Sequence, residues 1–194
     1  KKYDAGKPRP STKKYDITIK DKNCHRYAGV LIENVEVKES PEWLKQRLIA
    51  IGQRPINNIV DITNYVMFDL GKPIHSYDAD KIEGKKIIVR AARQGEKTVS
   101  LDGEERKLDP SRSVIADAKK TVAIGGIIGC TNSEVDENTR NVLIETASFD
   151  ATSIRKASTK LGLRTEASMR FEKALDPELV PVSAQKAVSM ILEL

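Results

Sequence analysis

The chain has 194 residues, of which 39% are hydrophobic and 31% charged. This composition supports a folded core and excludes a disordered chain. No apolar run reaches the roughly 20 residues of a membrane span, and the N-terminus lacks the apolar segment of a secretory signal. The net charge of +5 arises from residues 1–14, where six basic residues face one acid. We expect a disordered basic tail over 1–14, one folded domain over 15–194 and, because no initiator methionine is present, a segment of a longer protein.

The first half of the domain predicts two strands and two helices. Residues 15–19 alternate apolar and polar side chains, and residues 26–37 indicate a longer strand that kinks near Asn34. Ser40 is the candidate N-cap of a helix that Gly52 ends. A second helix follows Pro55 and ends at Gly71, after which the sequence predicts an irregular loop that carries His75.

The second half predicts strands followed by helices. A strand over 85–92, hairpins over 98–108 and 113–129, and a strand over 141–149 come first. Asp150 or Thr152 then caps a helix that ends at Gly162, Thr165 opens a short helix, and a final helix starts near Asp176. Since strands and helices do not alternate strictly, the fold class is α+β.

Standard catalytic and metal-binding motifs are missing from the sequence. The glycine-rich stretch 125–129 has neither the Lys-Ser/Thr of a phosphate-binding loop nor a GxGxxG spacing, so it favours a turn or a pocket wall. Cys24 and Cys130 stand far apart, and with His25 and His75 they lack the paired spacing of zinc ligands. We therefore expect no metal site and reduced core thiols.

Two titratable residues stand out, and the pattern leaves their roles open. Glu145 interrupts an apolar run and shares a strand face with Leu143, either at the solvent edge or inside a cleft, and the pattern alone favours the solvent edge. His75 is either a structural histidine or a base, and its spacing alone favours the structural role. Residues 153–173 carry six basic and two acidic side chains, which suits either a solvated helix face or phosphate contacts.

Four long motifs resemble the B3/B4 region of the β chain of bacterial phenylalanyl-tRNA synthetase. They are RPINNIVDITNYVMFDLGKPIHSYDADKI, AIGGIIGCTNSEV, NVLIETASFD and LGLRTEASMRFEKALDP, in the same order as in the family. The resemblance implies an α+β fold with central mixed or antiparallel sheets in a sandwich-like arrangement and flanking helices. It also implies post-transfer editing, the hydrolysis of tyrosine wrongly attached to tRNA(Phe).

The resemblance also implies roles for individual residues. The catalytic positions are His75, Gly129 and Asn64, and the substrate-binding positions are Glu145, Thr165, Ala167 and Thr63. Glu145 would accept a hydrogen bond from the tyrosine hydroxyl, whereas phenylalanine would leave this carboxylate unsatisfied. The tRNA-binding candidates are the basic residues around Thr165 and Ala167, namely Arg155, Lys156, Lys160, Arg164 and Arg170. The chain has Cys130 where the family often has glycine, which puts the conformation of that loop in question.

The expected partners and cofactors follow from the same resemblance. The segment itself needs no cofactor, and the parent complex uses ATP and Mg²⁺ to attach phenylalanine. Expected partners are tRNA(Phe) mischarged with tyrosine and a synthetase α chain in a heterotetramer, in the cytoplasm and without membrane contact. A non-catalytic tRNA-docking or structural module is the main alternative, and a free-standing editing enzyme is the second.

Overall fold

The computed structural model describes residues 8–194. Its strands are β1 (Arg9–Pro10), β2 (Asp16–Ile19), β3 (Cys24–Glu33), β4 (Ile74–Asp78), β5 (Lys86–Ala91), β6 (Lys97–Val99), β7 (Glu105–Lys107), β8 (Ser113–Ala116), β9 (Thr121–Ile124), β10 (Ile128–Gly129) and β11 (Asn141–Phe149). Its helices are α1 (Glu42–Ala50), α2 (Asn58–Leu70), α3 (Ala151–Leu161), α4 (Glu166–Phe171) and α5 (Leu179–Glu193). Within these residues no helix is long and apolar enough to cross a membrane. The mixture of sheets and flanking helices confirms the α+β class.

Two sheets form the centre of the molecule. The first has the order β1-β3-β11-β4 and is antiparallel throughout. The second has the order β10-β9-β8-β5-β2, and its β2–β5 pair is parallel. Strands β6 and β7 form a separate hairpin whose turn contains the predicted Asp102 and Gly103. Strand β11 lies inside the first sheet because its residues are apolar and buried on both faces.

The side chains of β11 alternate between two hydrophobic cores. Leu143 points into the core between the two sheets, together with Tyr77 and Ile115. Val142 and Ile144 point into a second core, on the side of the first sheet that α1, α2 and α5 cover. This alternation confirms the prediction that Leu143 and Glu145 share one face of the strand.

The helix boundaries follow the local signals except at α1. Asp150 caps α3 by accepting a hydrogen bond from Ser153 N (2.7 Å), and Gly71 and Gly162 end α2 and α3 in the left-handed conformation, as predicted. The prediction that Ser40 is an N-cap is wrong. Its hydroxyl instead donates to Asp61 Oδ2 (2.6 Å) in the next helix, and Pro41 takes the N-cap position without a side-chain bond.

Two segments expected to be irregular form strands. The predicted loop around His75 is β4, which pairs with β11 from Asp78 opposite Val142 to Ile74 opposite Thr146. In the predicted tail, Arg9–Pro10 pairs with β3, and Lys13 Nζ lies 2.6 Å from Glu33 Oε1. The disorder prediction is therefore wrong for this part, and its portion over 1–7 lies outside the described residues. Both strands depend on partners distant in sequence, which local patterns do not report.

Candidate functional site

A cavity of about 70 Å³ lies between the two sheets. Strand β4 forms one side, the glycine-rich bend after β9 forms another, and α4 closes the third. Its lining is mainly apolar and includes few titratable groups. The lining residues are Pro73, Ile74, His75, Tyr77, Ile115, Ala123, Ile124, Gly126, Ile127, Ile128, Gly129, Glu145, Ala167 and Phe171.

Glu145 is the acidic group of the cavity wall. It lies on β11 between Gly29 of β3 and His75 of β4, and only 7% of it is exposed. The expectation that it sits at the solvent edge is therefore wrong, because both neighbouring strands and the second sheet cover it. Tyr77 donates a short hydrogen bond to Oε2. Within residues 8–194 no hydrogen bond to Oε1 is formed, and the buried Tyr27 hydroxyl is a neighbouring protein donor that a ligand hydroxyl would have to replace there.

Burial controls the protonation of this carboxyl group. It raises the pKa of Glu145 to about 7, and the nearby hydroxyls of Tyr77 and Tyr27 oppose that rise. The Tyr27 hydroxyl is buried beside the same carboxylate but makes no hydrogen bond within the described residues. The group therefore changes charge near neutral pH, which is unusual for a glutamate and typical of functional sites.

His75 lies against the glycine-rich bend at the rim of the cavity. Its ring packs edge-on against Tyr77, with centroids 4.5 Å apart. A Cβ atom at Gly129 would lie 2.5 Å from both Cε1 and Nε2 of His75, so only glycine fits there. Burial lowers the pKa of His75 to about 4, so the imidazole is neutral at pH 7. A neutral imidazole can orient water or a hydroxyl, and at this pKa it is a weak base.

The bend itself brings backbone groups to the cavity. Gly126 has a φ of 68°, and a Cβ there would lie 2.6 Å from Ile154 Cδ1, so the position requires glycine. Its N–H makes no hydrogen bond within the described residues. Cys130, where the sequence resemblance led us to expect a glycine, has an ordinary extended backbone, and its thiol lies 2.9 Å from Thr98 Oγ1. The substitution therefore leaves the bend undistorted at that position.

Helix α4 supplies the third wall. Ala167 lines the cavity. Thr165 lies outside the lining and caps α4 by accepting from Ser168 N (3.1 Å), while its hydroxyl donates to Ile127 O (2.8 Å). Thr165 thus ties the helix to the bend and holds Ala167 in place.

The structure does not bring every predicted residue to the cavity. Thr63 and Asn64 lie on α2, and neither belongs to the cavity lining. The Thr63 hydroxyl donates to Val60 O (2.7 Å) inside its own helix. Across residues 8–194 no cluster of His, Cys, Asp and Glu could hold a metal ion.

Most of the predicted tRNA-binding side chains have partners within the domain. Lys160 lies 3.0 Å from Asp109, and Arg164 lies 3.2 Å from Glu172. Arg170 pairs with Glu166 and stacks over Phe68 at 4.4 Å. Arg155 and Lys156 are exposed on α3 and make no ion pair with a described residue. These two residues are the available positive charges on that face.

Sequence reasoning missed Tyr77. Reading the segment after Gly71 as a loop concealed that His75 and Tyr77, two residues apart, face the same side. Had the segment been recognised as a strand, alternation would have placed both side chains on one face, although only the pairing with β11 sets that face beside Glu145.

The chain is similar to known proteins over most of its length. Residues 23–194 match a family model described as "B3/4 domain". The chain is 52% identical over 182 residues to a phenylalanine–tRNA ligase beta subunit of Dehalococcoides mccartyi, covering 93% of this chain and 22% of that protein. It is 50% identical over 182 residues to the same subunit of Aquifex aeolicus, covering 94% and 23%. The chain thus spans less than a quarter of the length of these relatives.

A solved structure shares the fold. It is an N-terminal fragment of the phenylalanyl-tRNA synthetase beta-subunit from Pyrococcus horikoshii, with a TM-score of 0.52 and 17% sequence identity. The match covers 84% of this chain and 52% of that one. At this identity the likeness concerns the arrangement of sheets and helices.

Proposed function

The chain belongs to the B3/4 domain family, and from that premise we propose that it hydrolyses tyrosine wrongly esterified to tRNA(Phe). It would do so as a segment of a phenylalanine–tRNA ligase beta subunit that works in the cytoplasm with an α chain. In the same proposal, ATP and Mg²⁺ serve the aminoacylation reaction elsewhere in that complex. One observation carries the editing proposal: a buried carboxylate, with one oxygen that has no hydrogen bond within residues 8–194, lines a mainly apolar cavity.

A second, hydrolytic site is needed because tyrosine and phenylalanine are nearly the same size. A pocket built for phenylalanine rejects an analogue with one extra hydroxyl by only about 10²-fold. A second site that hydrogen-bonds the hydroxyl can reject the analogue lacking it by about 10⁴-fold or more. A tyrosine-selective hydrolytic site therefore supplies the missing accuracy.

Glu145 supports this selectivity, but through one of its carboxylate oxygens and not through both. Its carboxylate is not left wholly unsatisfied by phenylalanine, because Tyr77 already holds Oε2. The discrimination comes from Oε1, which a tyrosine hydroxyl would satisfy and a plain benzene ring would bury without a partner. The cavity is smaller than the roughly 150 Å³ that holds benzene in an apolar core. We therefore expect side chains at its rim, His75 among them, to shift when the ring enters.

The hydrolytic step needs positioning more than strong base catalysis. Water attacks the ester carbonyl, and the products are free tyrosine and tRNA with a free terminal ribose hydroxyl. Gly126 lines the cavity, and its N–H, which has no hydrogen bond within the described residues, is our candidate for stabilising the developing oxyanion. Because His75 is neutral and weakly basic at pH 7, we assign it to orienting the water or the ribose.

Deacylation assays test the proposal directly. The 194-residue chain should release tyrosine from Tyr-tRNA(Phe) faster than it releases phenylalanine from Phe-tRNA(Phe). The Glu145→Ala variant should lose this preference, whereas Glu104→Ala, at an exposed glutamate of the β6–β7 turn, should keep it. Wild-type preference in Glu145→Ala would remove Glu145 from recognition.

The alternative of a non-catalytic docking module predicts a different result. Such a module would bind tRNA(Phe) and hydrolyse neither ester. The ion pairs of Lys160, Arg164 and Arg170 reduce the free positive charge that this role needs. Tight, salt-sensitive tRNA binding without hydrolysis would favour the docking role.

A further inference from the structure

Tyr77 and Glu145 form a buried pair that the proposed chemistry has not yet used. Tyr77 is fully buried in the core between the sheets, on the same face of β4 as His75. Its hydroxyl donates to Glu145 Oε2, and the buried Tyr27 hydroxyl lies beside both groups. Burying a phenol and a carboxylate in an apolar core costs free energy, which the hydrogen bond between them offsets only in part.

We infer that Tyr77 is a positioning residue for recognition of the substrate hydroxyl, because its own hydroxyl holds Oε2 of Glu145 and so presents Oε1 to the cavity. The inference rests on the proposed function and deepens it. Tyr77 acts through Glu145 and need not touch the bound tyrosyl group.

The physical argument begins with the freedom of a glutamate side chain. Its terminal torsion is broad, so an unrestrained carboxylate interchanges its two oxygens and blurs the direction of its acceptors. A hydrogen bond to an ionised acceptor is short and strong, and it restricts that rotation. A fixed Oε1 then has one preferred partner position. Selectivity improves because a ring without a hydroxyl cannot be accommodated by turning the carboxylate away.

The same bond bears on the charge of Glu145. Four titratable groups lie around the carboxylate: Tyr77 and His75 on β4, and Tyr27 and Cys24 on β3. The second sheet, the bend and α4 place no other titratable group in the cavity lining. Burial raises the pKa of Glu145, and the Tyr77 bond is the largest effect that lowers it. Removing the hydroxyl should therefore raise this pKa further and shift the charged form to higher pH.

A matched pair of variants separates positioning from ordinary core packing. Tyr77→Phe removes the hydroxyl and keeps the ring. Tyr15→Phe is the control, because the Tyr15 hydroxyl is also part-buried but donates to Ala79 O (2.7 Å). A merely structural role would lower the stability of Tyr77→Phe without moving any pH midpoint.

The first measurement is hydrolysis of Tyr-tRNA(Phe) and Phe-tRNA(Phe) between pH 5.5 and 8.5. We expect Tyr77→Phe to lose selectivity for the tyrosyl ester by on the order of tenfold, the worth of one charge-assisted hydrogen bond. Its pH midpoint should move upward, and Tyr15→Phe should match the wild type in both respects. Wild-type selectivity and midpoint in Tyr77→Phe would overturn the inference, as would equal changes in Tyr15→Phe.

The second measurement needs no substrate, so it distinguishes this inference from the proposed function. The Glu145 carboxyl carbon can be titrated by NMR in the wild type and in both variants, with a higher midpoint expected in Tyr77→Phe alone. An unchanged midpoint overturns the inference even if the chain proves to hydrolyse neither ester. Should Tyr77→Phe not fold, the Tyr77 Cζ resonance of the wild type must still follow the Glu145 titration. A Cζ resonance that stays constant through that titration contradicts the pairing.

Discussion

Glu145→Gln should stabilise the fold, and the gain should depend on pH. Burial raises the pKa of Glu145 from 4.5 to about 7. Between these values the folded state holds the proton and the unfolded chain has released it, so the wild type loses stability as pH rises through this window. The shift of about 2.5 pH units corresponds to roughly 3 kcal/mol as an upper value, at 1.36 kcal/mol per unit. Glutamine does not titrate and still offers an acceptor to Tyr77.

His75 acts in the opposite sense over nearly the same range. Burial lowers its pKa to about 4, so the stability linked to its neutral form is present above pH 6.5 and is lost as pH falls through 4. The opposite pH dependences of the two residues therefore partly cancel in the free energy of unfolding of the wild type. Subtracting the profile of Glu145→Gln from that of the wild type leaves the contribution of the glutamate, because burial, which both proteins share, is what lowers the pKa of His75.

Urea denaturation of the 194-residue chain at pH 5 and pH 8 measures this difference. The free energy of unfolding of Glu145→Gln should be near the wild-type value at pH 5. At pH 8 it should exceed that value by up to about 3 kcal/mol. Glu104→Gln, at an exposed position, serves as the control and should show no such change. An equal difference at both pH values would refute the claim that burial perturbs Glu145.

The remaining predictions concern the rim and the exposed charges. His75→Ala should lower tyrosyl-tRNA deacylation modestly, whereas near-total loss with an intact fold would argue for general-base catalysis. Gly129→Ala should displace the imidazole and reduce deacylation by on the order of tenfold, with moved His75 NMR resonances showing the cause. Ala167→Phe should block the cavity, which undiminished binding in a tyrosine titration would contradict. Replacing Arg155 and Lys156 with glutamate should weaken tRNA binding and flatten its salt dependence, and an unchanged salt slope would exclude this face.

The residue that we propose for recognition is therefore one whose burial is expected to reduce stability at neutral pH. A glutamine at position 145 would suit the core better at neutral pH, yet it cannot present an ionised acceptor to a phenol. Such a conflict between local stability and local chemistry is what a functional site produces in an otherwise consistent fold.

The amino-acid sequence was sufficient wherever the signal is local. Gly71 and Gly162 end α2 and α3 because glycine adopts the left-handed backbone conformation of these turns without strain. Asp150 caps the start of α3 by accepting a hydrogen bond from Ser153 N, three residues later. Strand alternation placed Leu143 and Glu145 on one face. The long motifs identified the family because they extend over many consecutive residues.

Tertiary structure alone decided the burial of Glu145 and its hydrogen bond with Tyr77. Strand β4 lacks a decisive local pattern and becomes a strand because β11, more than sixty residues later, supplies its hydrogen bonds. The same pairing sets His75 opposite Glu145, while the second sheet covers both and shifts their protonation in opposite directions. Neighbouring residues determine where a chain turns, but the dielectric surroundings of a side chain depend on what the distant parts of the chain place around it.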